Sequence, residues 1–66
     1  MYTNVDSRMR VQRFMAHYGA HRRHLAKQMG INYTAFAAWL KGNRDFGSEL
    51  LCRVNRFLDD VQKIAI

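Results

Sequence analysis

The side chains in this chain with chemical potential are three histidines, one cysteine and an uneven set of cations. His17, His21 and His24 fall at i, i+4 and i+7, a spacing that invites a metal reading. Gly19 is expected to break the helix between the first two. No Cys or acid lies nearby to complete a tetrahedral set, so no metal site is expected. A phosphate contact suits His21 or His24 better. No nucleophile–base pair, phosphate-binding glycine loop or pair of catalytic carboxylates stands out. The 66 residues allow one small domain, residues 1–66, and no deep cleft beside its core. That argues against an enzyme, and neither a cofactor nor a small-molecule ligand is indicated.

The cations are the informative group. Eleven Lys or Arg oppose five Asp or Glu, a formal net charge of +6 with His neutral. From Ser7 to Arg44 there are eight cations and no acid, whereas the remainder is nearly neutral. Such a field attracts polyanions, nucleic acid foremost. A solvated basic surface that only maintains solubility is the plainer reading, and so long an acid-free run weighs against it. The composition is that of a globular chain, 48% hydrophobic and 24% charged. Cys52 alone cannot form an internal disulfide, which fits a reducing compartment. No apolar run resembles a signal or a membrane span, so a soluble, cytoplasmic protein is expected.

Positioning these groups falls to helices. The apolar residues keep helical spacing between Gly19, Gly30, Gly42 and Gly47, and no run alternates as a strand does. A first helix is expected from about Asp6 or Ser7, either serving as its cap, to Tyr18, with Val11, Phe14, Met15 and Tyr18 on one stripe. A second spans about Arg22–Met29, and a third follows the cap Asn32 to about Lys41. A fourth starts at Ser48, its expected cap, and runs to about Lys63. Leu51, Val54, Leu58 and Val61 form one stripe on it, and Leu50, Phe57 and Ile64 a second. Cys52 reads as a small buried hydrophobe within that helix. The fold is expected to be all-α.

The central pair carries most. Leu25, Ala26 and Met29 share a face of the second helix; Phe36, Trp39 and Leu40 share one of the third. Ala26 is small where two backbones would cross, Gly30 suits a positive-φ reversal, and Ile31 plugs the turn. The opposite face of the third helix holds Tyr33, Thr34, Ala37, Ala38 and Lys41. Small residues let a helix approach a groove, and two helices joined by a tight turn describe a helix-turn-helix over about 22–41.

The stretch RRHLAKQMGINYTAFAAWLK, Arg22–Lys41, resembles the helix-turn-helix of the phage repressor and Cro-like (XRE-type) family of bacterial transcription regulators. The likeness rests on Leu25, Ala26, Met29, Gly30, Ile31, Phe36, Trp39 and Leu40, and continues through Gly42-Asn43-Arg44 and the helix from Ser48. Phe36 stands where the family generally has Val or Ile. The segment after Asp45 reads as one helix where many members have two. The resemblance implies a four- to five-helix lambda-repressor-like domain. It puts Tyr33, Thr34, Ala37 and Ala38 against bases in the major groove, with Asn32 near a phosphate and Lys41 and Arg44 at the far end.

Physical reasons run beside the resemblance. A major groove about 12 Å wide accepts one helix. The Thr34 hydroxyl can meet a base edge, and Ala37 and Ala38 can meet thymine methyls. Arg22 and Arg23 can grip phosphate beside the free amides of the second helix. Asn43 joins Lys41 and Arg44 as a backbone contact, with Arg10, Arg13 and Lys27 as weaker candidates. One helix reads few base pairs, so a homodimer on a pseudo-palindromic operator is expected, with Phe57, Val61 and Ile64 as its interface. The reading is a sequence-specific repressor of double-stranded DNA, serving a phage, plasmid or other mobile element. Two rivals stay open: a protein-interaction module of antitoxin or anti-defence type, and a non-specific nucleic-acid-coating protein.

Overall fold

In a computed structural model of the chain, residues 2–65 are described, with side chains described from Tyr2 to Val61. The order is α1 (Asn4–Tyr18), α2 (Arg22–Met29), α3 (Tyr33–Leu40) and α4 (Ser48–Ala65). The fold is all-α, with four helices and no strand among the described residues.

Local chemistry sets most of the helix ends. Helix α1 begins two residues earlier than Asp6, because Thr3 is its cap: the Thr3 Oγ1 accepts from the Asp6 amide at 3.1 Å. Neither Asp6 nor Ser7 caps it. Ser7 is instead buried, its Oγ accepting from Asn55 Nδ2 at 2.9 Å. Gly19 and Gly30 close α1 and α2 in the left-handed region, at φ 67 and 72°, where a Cβ would cost roughly 1–2 kcal/mol. Asn32 caps α3 as expected, accepting from the Ala35 amide at 3.3 Å. For α4 the first carbonyl to accept is that of Gly47, from the Leu51 amide at 3.0 Å. Ser48 therefore occupies the first helical position rather than the cap, and α4 runs on to Ala65.

The core gathers one face of each helix: Val11 and Phe14, Leu25, Ala26 and Met29, then Phe36, Trp39 and Leu40, and Leu51, Val54 and Leu58. Ile31 fills the α2–α3 turn from below, as its position implied. Packing joins α2 to α3 and α1 to α4. Trp39 sits at the junction, stacked on Phe46 with ring centroids 4.8 Å apart. Its Nε1 donates to Asn4 Oδ1 at 2.8 Å, the same oxygen accepts from the Phe46 amide at 2.8 Å, and Asn4 Nδ2 donates to the Phe46 carbonyl. One asparagine thus binds the start of α1 to the α3–α4 loop. No buried side-chain nitrogen or oxygen among the described residues lacks a partner, which spares the desolvation cost of an unmet polar group.

Three expectations change. Cys52 is exposed, because the buried stripe of Leu51, Val54 and Leu58 leaves the next position turned away. Tyr18 is 49% exposed at the end of α1, its ring resting on Phe14 with centroids 4.7 Å apart. The residues of α4 expected to meet a second copy are partly covered within their own chain: Phe57 and Val61, like Leu50, pack against the core. Phe57 meets Phe14 edge-on at 6.4 Å. The side chain of Ile64 lies outside the described residues.

Candidate nucleic-acid interface

Two helices of eight residues, joined by Gly30, Ile31 and Asn32, build the candidate surface. Helix α3 buries Phe36, Trp39 and Leu40, and 3.6-residue periodicity turns Thr34, Ala37 and Ala38 away from them. Thr34 is exposed; Ala37 and Ala38 are half-buried. No long side chain stands on this strip, so the backbone can approach a groove wall closely. Tyr33 is half-buried at the start of the strip and packs against the core cluster.

Cations bracket the strip. At its start, Arg22 and Arg23 occupy the exposed first turn of α2, which contains no acid. The α2 cap, His21, makes no side-chain hydrogen bond to that turn, which leaves amide donors for an anion. The Arg23 guanidinium lies over the Tyr33 ring, 4.7 Å from its centroid. This cation–π contact joins a backbone-contact candidate to a base-contact candidate on the next helix. At the far end Lys41 closes α3, Gly42 turns through φ 86°, and the Asn43 amide donates to the Ala38 carbonyl at 2.9 Å. Lys41, Asn43 and Arg44 are all exposed. Among the described residues, Arg22, Arg23, Lys27, Lys41 and Arg44 have no acidic partner.

Three further arginines behave differently. Arg10 donates to Asn55 Oδ1 at 3.0 Å and pairs with Asp59, so it ties α1 to α4. Arg8 pairs with Asp45 at 2.7 Å, donates to the Arg44 carbonyl at 2.7 Å and reaches the Trp39 carbonyl. It adds a second donor to the Trp39 carbonyl, which also accepts from the Gly42 amide, and fixes the loop that carries Arg44. Arg53 donates to the Gly30 carbonyl at 3.3 Å and so supports the α2–α3 turn from α4. Sequence reasoning missed the positioning roles of Asn4, Arg8 and Arg53. Their partners lie 23 to 42 residues away, beyond any local pattern.

Of the expected site residues, Tyr33, Thr34, Ala37 and Ala38 come together on α3. Asn32, Arg22 and Arg23 stand at its start, and Lys41, Asn43 and Arg44 at its end. Phe57 and Val61 lie on α4 and are partly used within the monomer. Among the described residues, no group of three or more His, Cys, Asp or Glu side chains could hold a metal ion. No helix among them is long and apolar enough to cross a membrane. The described residues also line shallow depressions, such as the one formed by Glu49, Cys52, Arg53, Arg56 and Asp60. No protein-family model, curated protein or solved structure shows a significant match to this chain.

Proposed function

We propose that this chain is a sequence-specific double-stranded DNA-binding regulator, most simply a repressor, with α2–α3 as a lambda-repressor-like helix-turn-helix. The observation that carries the reading is the small-residue strip Thr34–Ala37–Ala38, bracketed at both ends by cations without acidic partners. A helix enters the major groove when its outward side chains are short, and cations at its ends meet the two flanking phosphate backbones. In this reading Thr34, Ala37 and Ala38 read base edges and methyl groups, with Tyr33 at the rim held by Arg23. Arg22, Arg23, Asn32, Lys41, Asn43 and Arg44 position the helix on the backbone. No cofactor or reaction enters the proposal, and a bacterial mobile element is the setting it fits best.

A homodimer completes the reading, because one helix reads too few base pairs for operator specificity. The end of α4, with Phe57, Val61 and Ile64, is one candidate for the pairing. Selection from random duplex DNA at physiological salt, with excess competitor, tests the whole. Recovery of a two-fold symmetric site is the expected result. Binding without a preferred sequence that vanishes as salt rises would leave only electrostatic grip. No binding at all would turn the same basic face towards an acidic protein partner.

A further inference from the structure

We infer that the outward face of α1 is a docking surface for a second copy of this chain, paired antiparallel across a two-fold axis near Met9. Val5, Met9, Gln12 and Ala16 recur at helical spacing on the side of α1 away from Val11 and Phe14. Tyr2 stands exposed just before the cap, at the Val5 end. Val5 is 62% exposed, and Tyr2 and Met9 are 45% exposed. This side of a helix packed on one face is normally polar. The apolar surface continues from Tyr2 onto α4 across a shallow groove lined by Leu51 and Cys52. Scattered exposed apolar side chains are ordinary; here Tyr2, Val5 and Met9 gather at one end of the face, with Gln12 between Met9 and Ala16, and such a cluster edged by charge marks an interaction face.

Charge selects the occupant and its direction. Asp6 and Arg13 flank Met9 along one edge of the stripe, seven residues apart, and share a shallow groove with Met9 and Arg10. Arg10 is engaged by Asn55 and Asp59. Asp6 and Arg13 have no ion-pair partner among the described residues. A two-fold interface brings a patch against itself. Parallel pairing would put this edge of the two copies on opposite sides of the interface, where Asp6 and Arg13 cannot meet across it. Antiparallel pairing about Met9 sets each Asp6 opposite the second copy's Arg13, Met9 on Met9, and the bulky Tyr2 end over the small Ala16 end. The face is thus complementary to itself in one direction only. The end of α4 differs, since Phe57 and Val61 already pack on their own core.

This pairing does not depend on the DNA reading, and its test uses no DNA. Sedimentation across a range of concentrations gives the dimer dissociation constant. Asp6→Arg and Arg13→Asp should each weaken the dimer by roughly tenfold, since each places two like-charge contacts at the interface. The double variant Asp6→Arg/Arg13→Asp should return it to within about threefold of the parent. Met9→Glu should weaken the dimer more than either reversal, with the thermal transition followed by circular dichroism as a control for folding. In a Cys52→Ser background, Met9→Cys should form a disulfide-linked dimer on mild oxidation, whereas Arg56→Cys on α4 should not. A chain that stays monomeric at every concentration overturns the inference. So does a dimer that ignores Met9→Glu and both reversals, or one that the double variant fails to restore.

Discussion

The two sides of this molecule use most of their arginines in opposite ways. On the α1–α4 side, Arg8, Arg10 and Arg53 are tied to Asp45, Asp59 and Glu49, and to the backbone carbonyls of Gly30, Trp39 and Arg44. On the α2–α3 side, Arg22, Arg23, Lys27, Lys41 and Arg44 face solvent with no acid among the described residues to meet them. Three of the five arginines on the first side organise the fold, Arg13 and Arg56 being exposed there without an ion pair among the described residues. On the second side every cation adds to an external field. Net charge alone therefore overstates the surface offered to a polyanion. What matters is the set of cations left after the chain's own acids have been matched.

The sharpest way to break that contrast is to damage the organising side. Asn4→Leu removes the acceptor of Trp39 Nε1 and of the Phe46 amide, both part-buried. Leaving those donors unmet should cost about 2–4 kcal/mol. Urea unfolding should show a lower midpoint at an unchanged slope.

On the field-producing side, the double variant Arg22→Ala/Arg23→Ala should leave that midpoint nearly unchanged, because both side chains are exposed. Affinity for duplex DNA should instead fall by about tenfold or more, with a salt dependence shallower by about two counterions. An unchanged salt slope would remove these residues from the interface.

A smaller and more local effect is expected at the groove. Thr34→Ala should cost about 1 kcal/mol of discrimination at one position per half-site while binding to other sequences persists; selection with the variant protein reads this directly. The smallest change is the converse control. Arg10→Ala should lower stability by about 0.5–1 kcal/mol, the range of a partly exposed pair, and leave the salt dependence of DNA binding unaltered. If Arg10→Ala instead reduces the salt slope, the two sides are not divided as described.

How much of this was legible before folding follows the range of the interactions. The limits of α2 and the cap of α3 were readable because Gly19, Gly30 and Asn32 act within one turn of their own positions. The start of α1 was misplaced because Thr3, Asp6 and Ser7 are all competent caps by residue type. Burial of Ser7 against Asn55, which lies 48 residues away, is a tertiary event. Cys52 is a different case. It lies on neither apolar stripe of α4, so helical periodicity alone already turned it outward, and reading it as buried rested on residue type. The division of labour among the arginines was the least visible feature. Arg8 meets Asp45 across 37 residues and Arg10 meets Asp59 across 49.

By itself, the sequence determined the helices, the glycine turns between α1, α2 and α3, the apolar face of α3 and the sign of the field. Each follows from backbone sterics, periodicity or counting, which act locally or additively. Only the tertiary structure decided which cations remain unmatched among the described residues, that Arg23 lies over Tyr33, and that Val5 and Met9 stay exposed. Those outcomes depend on which surfaces meet when four helices pack. Charges and apolar atoms are satisfied by whatever folding brings within a few ångströms, however far apart they lie along the chain.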